Sequence, residues 1–207
     1  MSDLKMCFDS DSSLNQKIID GVNILADNVA STLGPKGRNV ILQEKGKSPI
    51  ITKDGVTVAQ FVHLDDPFMN AGVQIIKQAA TTNNDAGDGT TTSTVIARAI
   101  LIQAQKYLTA GASPIELKRG IDKACSAIVD NLRDIATPIM SEEDIAHVAT
   151  ISANNDKTIG NLIAMAVDRV GKDGAITIEE ARSAETSLDI TEGFIFDSGY
   201  CATAFVT

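Results

Sequence analysis

Apolar residues recur at helical spacing along most of the chain. Leu14, Ile18, Val22, Leu25, Val29 and Leu33 follow one another at steps of three or four, which places them on one stripe of an α-helix. Gly34-Pro35 then stops that helix. The same spacing runs through Phe68, Gly72, Ile75, Ile76 and Ala79, and through Val95, Ile96, Ala99, Ile100 and Ile102. It returns in Leu117, Ile121, Ala124, Ile128, Leu132 and Ile135. Stripes of this kind are buried by packing helix on helix. Trp is absent and aromatic residues make up 4% of the chain, so the core is built from Ile, Val, Leu and Ala, whose modest size suits close helix approach. The expected class is mainly α.

Turn and cap signals divide the remainder. Segments 38–42 and 50–58, rich in Val, Ile and Thr and broken by Gly46, Pro49 and Asp54-Gly55, read as short strands or a hairpin. A polar, glycine-bearing loop over 81–89 leads to a helix opening at Thr90. Ser113-Pro114-Ile115-Glu116 combines a proline at the first helical position with a capping box, and Pro138 ends the helix it opens. Ser141 with Asp144 marks a second capped helix, and Asp156 a third that reaches Gly171. Lys172-Asp173-Gly174 reads as a turn, and 175–179 and 187–191 alternate like half-buried strands. A small α+β unit is therefore expected after the helical one.

Charge and cysteine usage exclude several classes. The net charge is -9, from 18 basic and 27 acidic residues, with no dense Lys/Arg cluster, so nucleic acid is not an expected partner. Cys7, Cys125 and Cys201 are far apart and form no CxxC pair, and His63 and His147 are isolated. Neither a zinc site nor a disulfide framework is expected. No apolar run approaches the roughly 20 residues of a membrane span, and the N-terminus lacks an apolar signal core. The expected setting is cytoplasmic and reducing.

Three segments carry potential chemistry. Residues 84–92, Asn-Asp-Ala-Gly-Asp-Gly-Thr-Thr-Thr, join a glycine-rich turn to a helix start, where free N–H groups and hydroxyls suit a phosphate. Asp88 adds a carboxylate of the kind that holds Mg²⁺ against phosphate oxygens; a well-capped helix after a flexible turn is the structural alternative. Thr32-Leu33-Gly34-Pro35-Lys36-Gly37 lets backbone approach a ligand closely, or simply ends a helix. Thr52-Lys53-Asp54-Gly55 offers an ammonium and a carboxylate at a strand end, or is an exposed hairpin turn. Neither GxxxxGK[ST] nor GxGxxG occurs, so any nucleotide site is of another design.

In combination, TLGPKGRNV, ITKDGVTVA and AGDGTTTSTV, in this order and at these separations, resemble group I (GroEL-type) chaperonins. The resemblance continues through LKRGIDKA (117–124), TISANND (150–156), VGKDGAITIEE (170–180) and EGFIFDSGY (192–200), and so covers nearly the whole chain. It implies the N-terminal half of a multihelical equatorial ATP-binding domain with a short β hairpin over 1–134. The first segment of an intermediate domain would follow over 135–191, and the opening of an apical domain over 192–207. Because the family's subunits are much longer, the chain is expected to be an N-terminal portion of one.

The resemblance also implies roles. Thr32, Leu33, Gly34 and Pro35 would line ATP, Lys53 would lie near its phosphates, and Asp88 would hold Mg²⁺, with K⁺ a further candidate cation. Gly89, Thr90, Thr91 and Thr92 would cradle the phosphates, and Asp54 would help to order the attacking water. Other chaperonin subunits in a homo-oligomeric ring would be partners, as would co-chaperonin and unfolded polypeptides through the apical domain. The family's principal catalytic aspartate and its base-closing C-terminal segment have no counterpart in these 207 residues. Whether the chain acts as an enzyme is left open, with hydrolysis by it alone expected to be very slow and nucleotide binding weak. The expected function is an ATP-dependent folding chaperone subunit. The alternatives are a non-catalytic protein that co-assembles with a full-length ring, and an independent nucleotide-binding module. Two departures from the family pattern stand out: the link from Ala80 to Gly87 is one residue short, and Ala204 replaces an aromatic between Tyr200 and Phe205. Those two residues read as core packing in preference to client contacts.

Overall fold

The computed structural model describes residues 13–44, 46–81, 87–171, 174–179, 186–191 and 193. The chain divides into two compact units, Met1–Ile128 and Val129–Thr207. The fold is mainly helical with one small sheet. The first unit contains α1 (Ser13–Ala30), β1 (Val40–Leu42), β2 (Ile50–Thr52), α2 (Gly55–Phe61), α3 (Pro67–Thr81) and α4 (Thr90–Thr109), and α5 (Pro114–Ile135) begins in it. The second contains α6 (Glu142–Ser152) and α7 (Lys157–Val170).

Helix α1 is the centre of the first unit. Val22, Leu25 and Val29 from its stripe are fully buried, against Val73, Ile76 and Ala80 of α3, Val58 and Ala59 of α2, and Leu42 of β1. Ala97 and Leu101 of α4 pack on the same cluster. The α1–α3 crossing is close because glycines sit at it. A Cβ on Gly21 would fall on the Met69 carbonyl, and one on Gly72 on the Ile18 carbonyl. Outside the core, Arg98 of α4 forms an ion pair with Asp27 of α1.

Two expectations for this unit are corrected. Helix α1 ends at Ala30 instead of running to Leu33. The Ser31 hydroxyl donates to the Asn28 carbonyl and the Thr32 hydroxyl to the Val29 carbonyl, which satisfies the last turn locally. Leu33 falls outside the stripe and is half exposed. The strand expected over 50–58 stops at Thr52, and 55–61 is helical. Asp54 is the reason: it caps α2, accepting from the Val56 and Thr57 N–H groups, and a saturated cap of this kind outweighs the β propensity of Val and Thr. The sheet itself is antiparallel, pairing Val40 with Thr52, Ile41 with Ile51 and Leu42 with Ile50.

In the second unit, α6 and α7 pack against each other. Ser141 and Asp144 form a capping box on α6, and Asp156 caps α7 by accepting from the Thr158 and Ile159 N–H groups, both as expected. Gly160 lies where a Cβ would overlap the Thr150 hydroxyl, so this contact is close too. The strands expected over 175–179 and 187–191 are absent; the described residues there have no regular structure. Ile178 is 86% exposed, and alternation alone does not build a strand whose apolar side chains stay exposed. The expectations for Asn84, Asp85, Ala86, the shortened loop, the Lys172-Asp173 pair, Cys7, Cys201, Tyr200, Phe205 and Ala204 lie outside the described residues.

Candidate functional site

A cavity of about 280 Å³ opens in the first unit where three loops meet. Its wall takes Thr32, Leu33 and Gly34 from the turn after α1 and Lys53, Asp54, Gly55 and Val56 from the β2–α2 junction. Gly87, Asp88, Gly89, Thr90, Thr91 and Thr92 complete it from the start of α4. The fold thus gathers every sequence-selected residue except Pro35, which is exposed and does not line the cavity. Gly55, Val56 and Gly87 also line it, though no role was assigned to them. They lie inside the quoted motifs, so the signal was present, but only the junction geometry turns them inward.

Each loop has its own physical cause. Gly34, Gly87 and Gly89 have φ values of +71°, +70° and +94°, a region that residues with a Cβ rarely enter. Gly89 occupies the N-cap of α4 and offers no side chain. The first-turn N–H groups of Thr90, Thr91 and Thr92 are therefore left without a side-chain acceptor, while Ser93 already donates to the Gly89 carbonyl. The positive end of the helix dipole points the same way. Asp88 turns back, accepting from the Gly89 N–H at 2.6 Å.

Thr90 supplies the most telling atom. The residue is 6% exposed, and Oγ1 is a buried polar atom with no hydrogen-bond partner. Such an atom costs about 1–3 kcal/mol when left unsatisfied, and buried polar groups are rarely left so. Thr94, one turn on, is satisfied by the Thr90 carbonyl at 2.8 Å, so the orphan is confined to the residue that lines the cavity.

Asp54 is held more tightly than an exposed loop carboxylate. Oδ1 accepts from the Val56 N–H at 3.2 Å, and Oδ2 accepts from the Thr57 N–H at 2.8 Å and the Thr57 hydroxyl at 2.6 Å. Partial burial pushes its pKa up, but the hydrogen bonds from Thr57 and Val56 outweigh this and leave it below the usual carboxylate value.

The donor set suits a particular ligand chemistry. Free N–H groups and Lys53 attract an anion, while Asp54 and Asp88 would repel a bare one. A phosphate carrying a divalent cation meets both demands. No cluster of three or more metal-ligating side chains occurs among the described residues. A cation here would thus rest on one or two carboxylates, phosphate oxygens and water, as Mg²⁺ commonly does.

Comparison with known proteins places this chain in a family. A profile described as the TCP-1/cpn60 chaperonin family matches residues 25–206. The chain belongs to the TCP-1/cpn60 chaperonin family. Among solved structures, this chaperonin chain is similar to a group III chaperonin crystallised in the open state, with a TM-score of 0.64 and 23% identity. The match covers 75% of the present chain and 31% of the other. At that identity the likeness concerns the fold, and the chaperonin chain described here spans about a third of that neighbour's length.

Proposed function

We propose that this chain supplies the phosphate- and Mg²⁺-binding part of the ATP site of a group I chaperonin subunit, an ATP-dependent assistant of protein folding. The observation that carries the reading is the buried, unpartnered hydroxyl of Thr90, a cavity-lining residue at an uncapped helix start, beside Lys53 and Asp88 in the same wall. The N–H groups of Thr90, Thr91 and Thr92 and the Thr90 hydroxyl bind phosphate oxygens, Lys53 approaches them from the β2–α2 junction, and Thr32 to Gly34 face the rest of the nucleotide. Asp88 would hold Mg²⁺, which when bound neutralises charge on the phosphate oxygens. In hydrolysis, water oxygen bonds to the γ-phosphorus and the bond to the bridging oxygen breaks, its electron pair leaving on ADP. Of the water's protons, one stays on the phosphate product and one passes to solvent. Asp54, held by the Val56 and Thr57 bonds, accepts from that water and orients it.

The group I assignment rests on the quoted motifs, and ring assembly with other subunits, co-chaperonin and unfolded clients follows from it. A cytoplasmic setting is part of the proposal, and fractionation of the source cells tests it. Calorimetric titration of the 207-residue chain with MgATP is the direct test of the site. Weak saturable binding that Asp88→Ala reduces roughly tenfold is expected; no binding by the wild-type chain overturns the reading.

A second reading, a non-catalytic protein that co-assembles with a longer chaperonin subunit, draws support from α5. None of its residues is buried, and Ile128, Leu132 and Ile135 are more than half exposed along one stripe. Co-purification of the two chains, lost on Leu132→Glu, would favour it; independent migration would dismiss it.

A further inference from the structure

The Asp54 carboxylate has about four acceptor positions, and the β2–α2 junction fills three of them. Val56 N–H takes one on Oδ1, and Thr57 fills both on Oδ2 through its N–H and its hydroxyl. Asp54 lines the cavity and Thr57 does not. The Thr57 hydroxyl bond, at 2.6 Å, is the shortest of the three, and short bonds to an ionised acceptor are the strong ones. Two donors on one oxygen stop the carboxylate from rotating about its Cβ–Cγ bond, so the one vacant position stays on Oδ1. The backbone N–H of Asp54 is in turn fixed to the Thr52 hydroxyl at 3.0 Å.

We propose that Thr57 is a positioning residue: its hydroxyl locks the Asp54 carboxylate so that a single acceptor, on Oδ1, is presented to the water attacking the γ-phosphate. The proposal rests on the nucleotide reading above. Capping α2 needs only the N–H bonds from positions 56 and 57, and any residue at position 57 except proline would donate its own. The hydroxyl is surplus to the cap, and its effect is on the direction of the free lone pair. Lys53 and Asp88 share the cavity, but the bonds that hold the Asp54 carboxylate come from Val56 and Thr57.

The test compares two ligands on one protein. MgADP fills the phosphate site without an attacking group, whereas MgADP with fluoroaluminate mimics the γ-phosphoryl in flight with a water in line. Titrating the full chain, its Thr57→Val and Thr57→Ala variants and Thr57→Ser with both ligands gives a ratio of affinities for each. The wild-type chain is expected to bind the fluoroaluminate complex more tightly than MgADP. Val and Ala should keep MgADP affinity within about twofold and lose roughly tenfold of the ratio, and Ser should restore it. Ala favours the helix, so it stands in should Val fold poorly. An unchanged ratio in the Ala variant, or a wild-type chain that binds MgADP without any fluoroaluminate gain, overturns the role of Thr57 and leaves the nucleotide reading standing. A wild-type chain that binds neither ligand overturns both.

Discussion

Gly55 of α2 lies against Thr91 of α4 so closely that a Cβ at position 55 would overlap the Thr91 hydroxyl. This contact joins two of the three loops that wall the cavity, so the width of the site depends on the absence of one methyl group.

Gly55→Ala is therefore expected to separate binding from stability. Alanine fits the start of α2 and is favoured over glycine in a helix by up to about 1 kcal/mol, which offsets much of the crowding. The Thr91 side chain must turn, and MgATP affinity should fall roughly tenfold while the melting temperature stays nearly unchanged. Calorimetry and a thermal melt on the same sample check the pair.

Gly72→Ala behaves differently because its neighbour is backbone. A Cβ there meets the Ile18 carbonyl at the α1–α3 crossing, and a carbonyl cannot rotate away. Overpacking of this kind costs about 1–3 kcal/mol, so the urea midpoint should drop clearly, with Gly21→Ala matching it from the other side.

Thr90→Val should stabilise the unliganded chain and weaken its ligand. The hydroxyl is buried without a partner, and replacing it with a methyl removes an unsatisfied polar group worth about 1 kcal/mol or more. A higher urea midpoint together with weaker MgATP binding is the expected outcome. A lower midpoint would mean that the hydroxyl is satisfied in solution.

The acid limb of stability carries two capping carboxylates. The Met140 N–H and the Ser141 hydroxyl and N–H hold Asp144 below its usual pKa, and Asp54 lies below its own because the Thr57 and Val56 bonds outweigh burial. A carboxylate depressed in the folded state contributes stability that is fully present above its unfolded pKa and lost as pH falls through the folded one. Helical content should thus decline as pH falls below about 4. Asp54→Asn and Asp144→Asn should each lower stability at pH 7 and flatten that decline, as followed by circular dichroism.

Much of this protein was legible in its residues. Apolar spacing located α1, α3, α4 and α5, capping chemistry located α6 and α7, and the glycine-flanked motifs contain all thirteen cavity-lining residues, ten of them given roles in advance. These are local properties, set by a 3.6-residue period, by an N-cap oxygen and by glycine's access to positive φ. What local pattern could not decide was the competition between alternatives of similar propensity. Val56, Thr57 and Val58 suit a strand, yet Asp54 makes them helix; 175–179 alternate, yet with Ile176 and Ile178 exposed they form no strand. Nor does sequence spacing reveal that Gly55 touches Thr91 across 36 residues or that the Thr90 hydroxyl is buried unpaired. Those facts arise only when α1, α3 and α4 bury a common stripe and bring distant loops together, because burial and contact belong to the packed arrangement and not to any one segment.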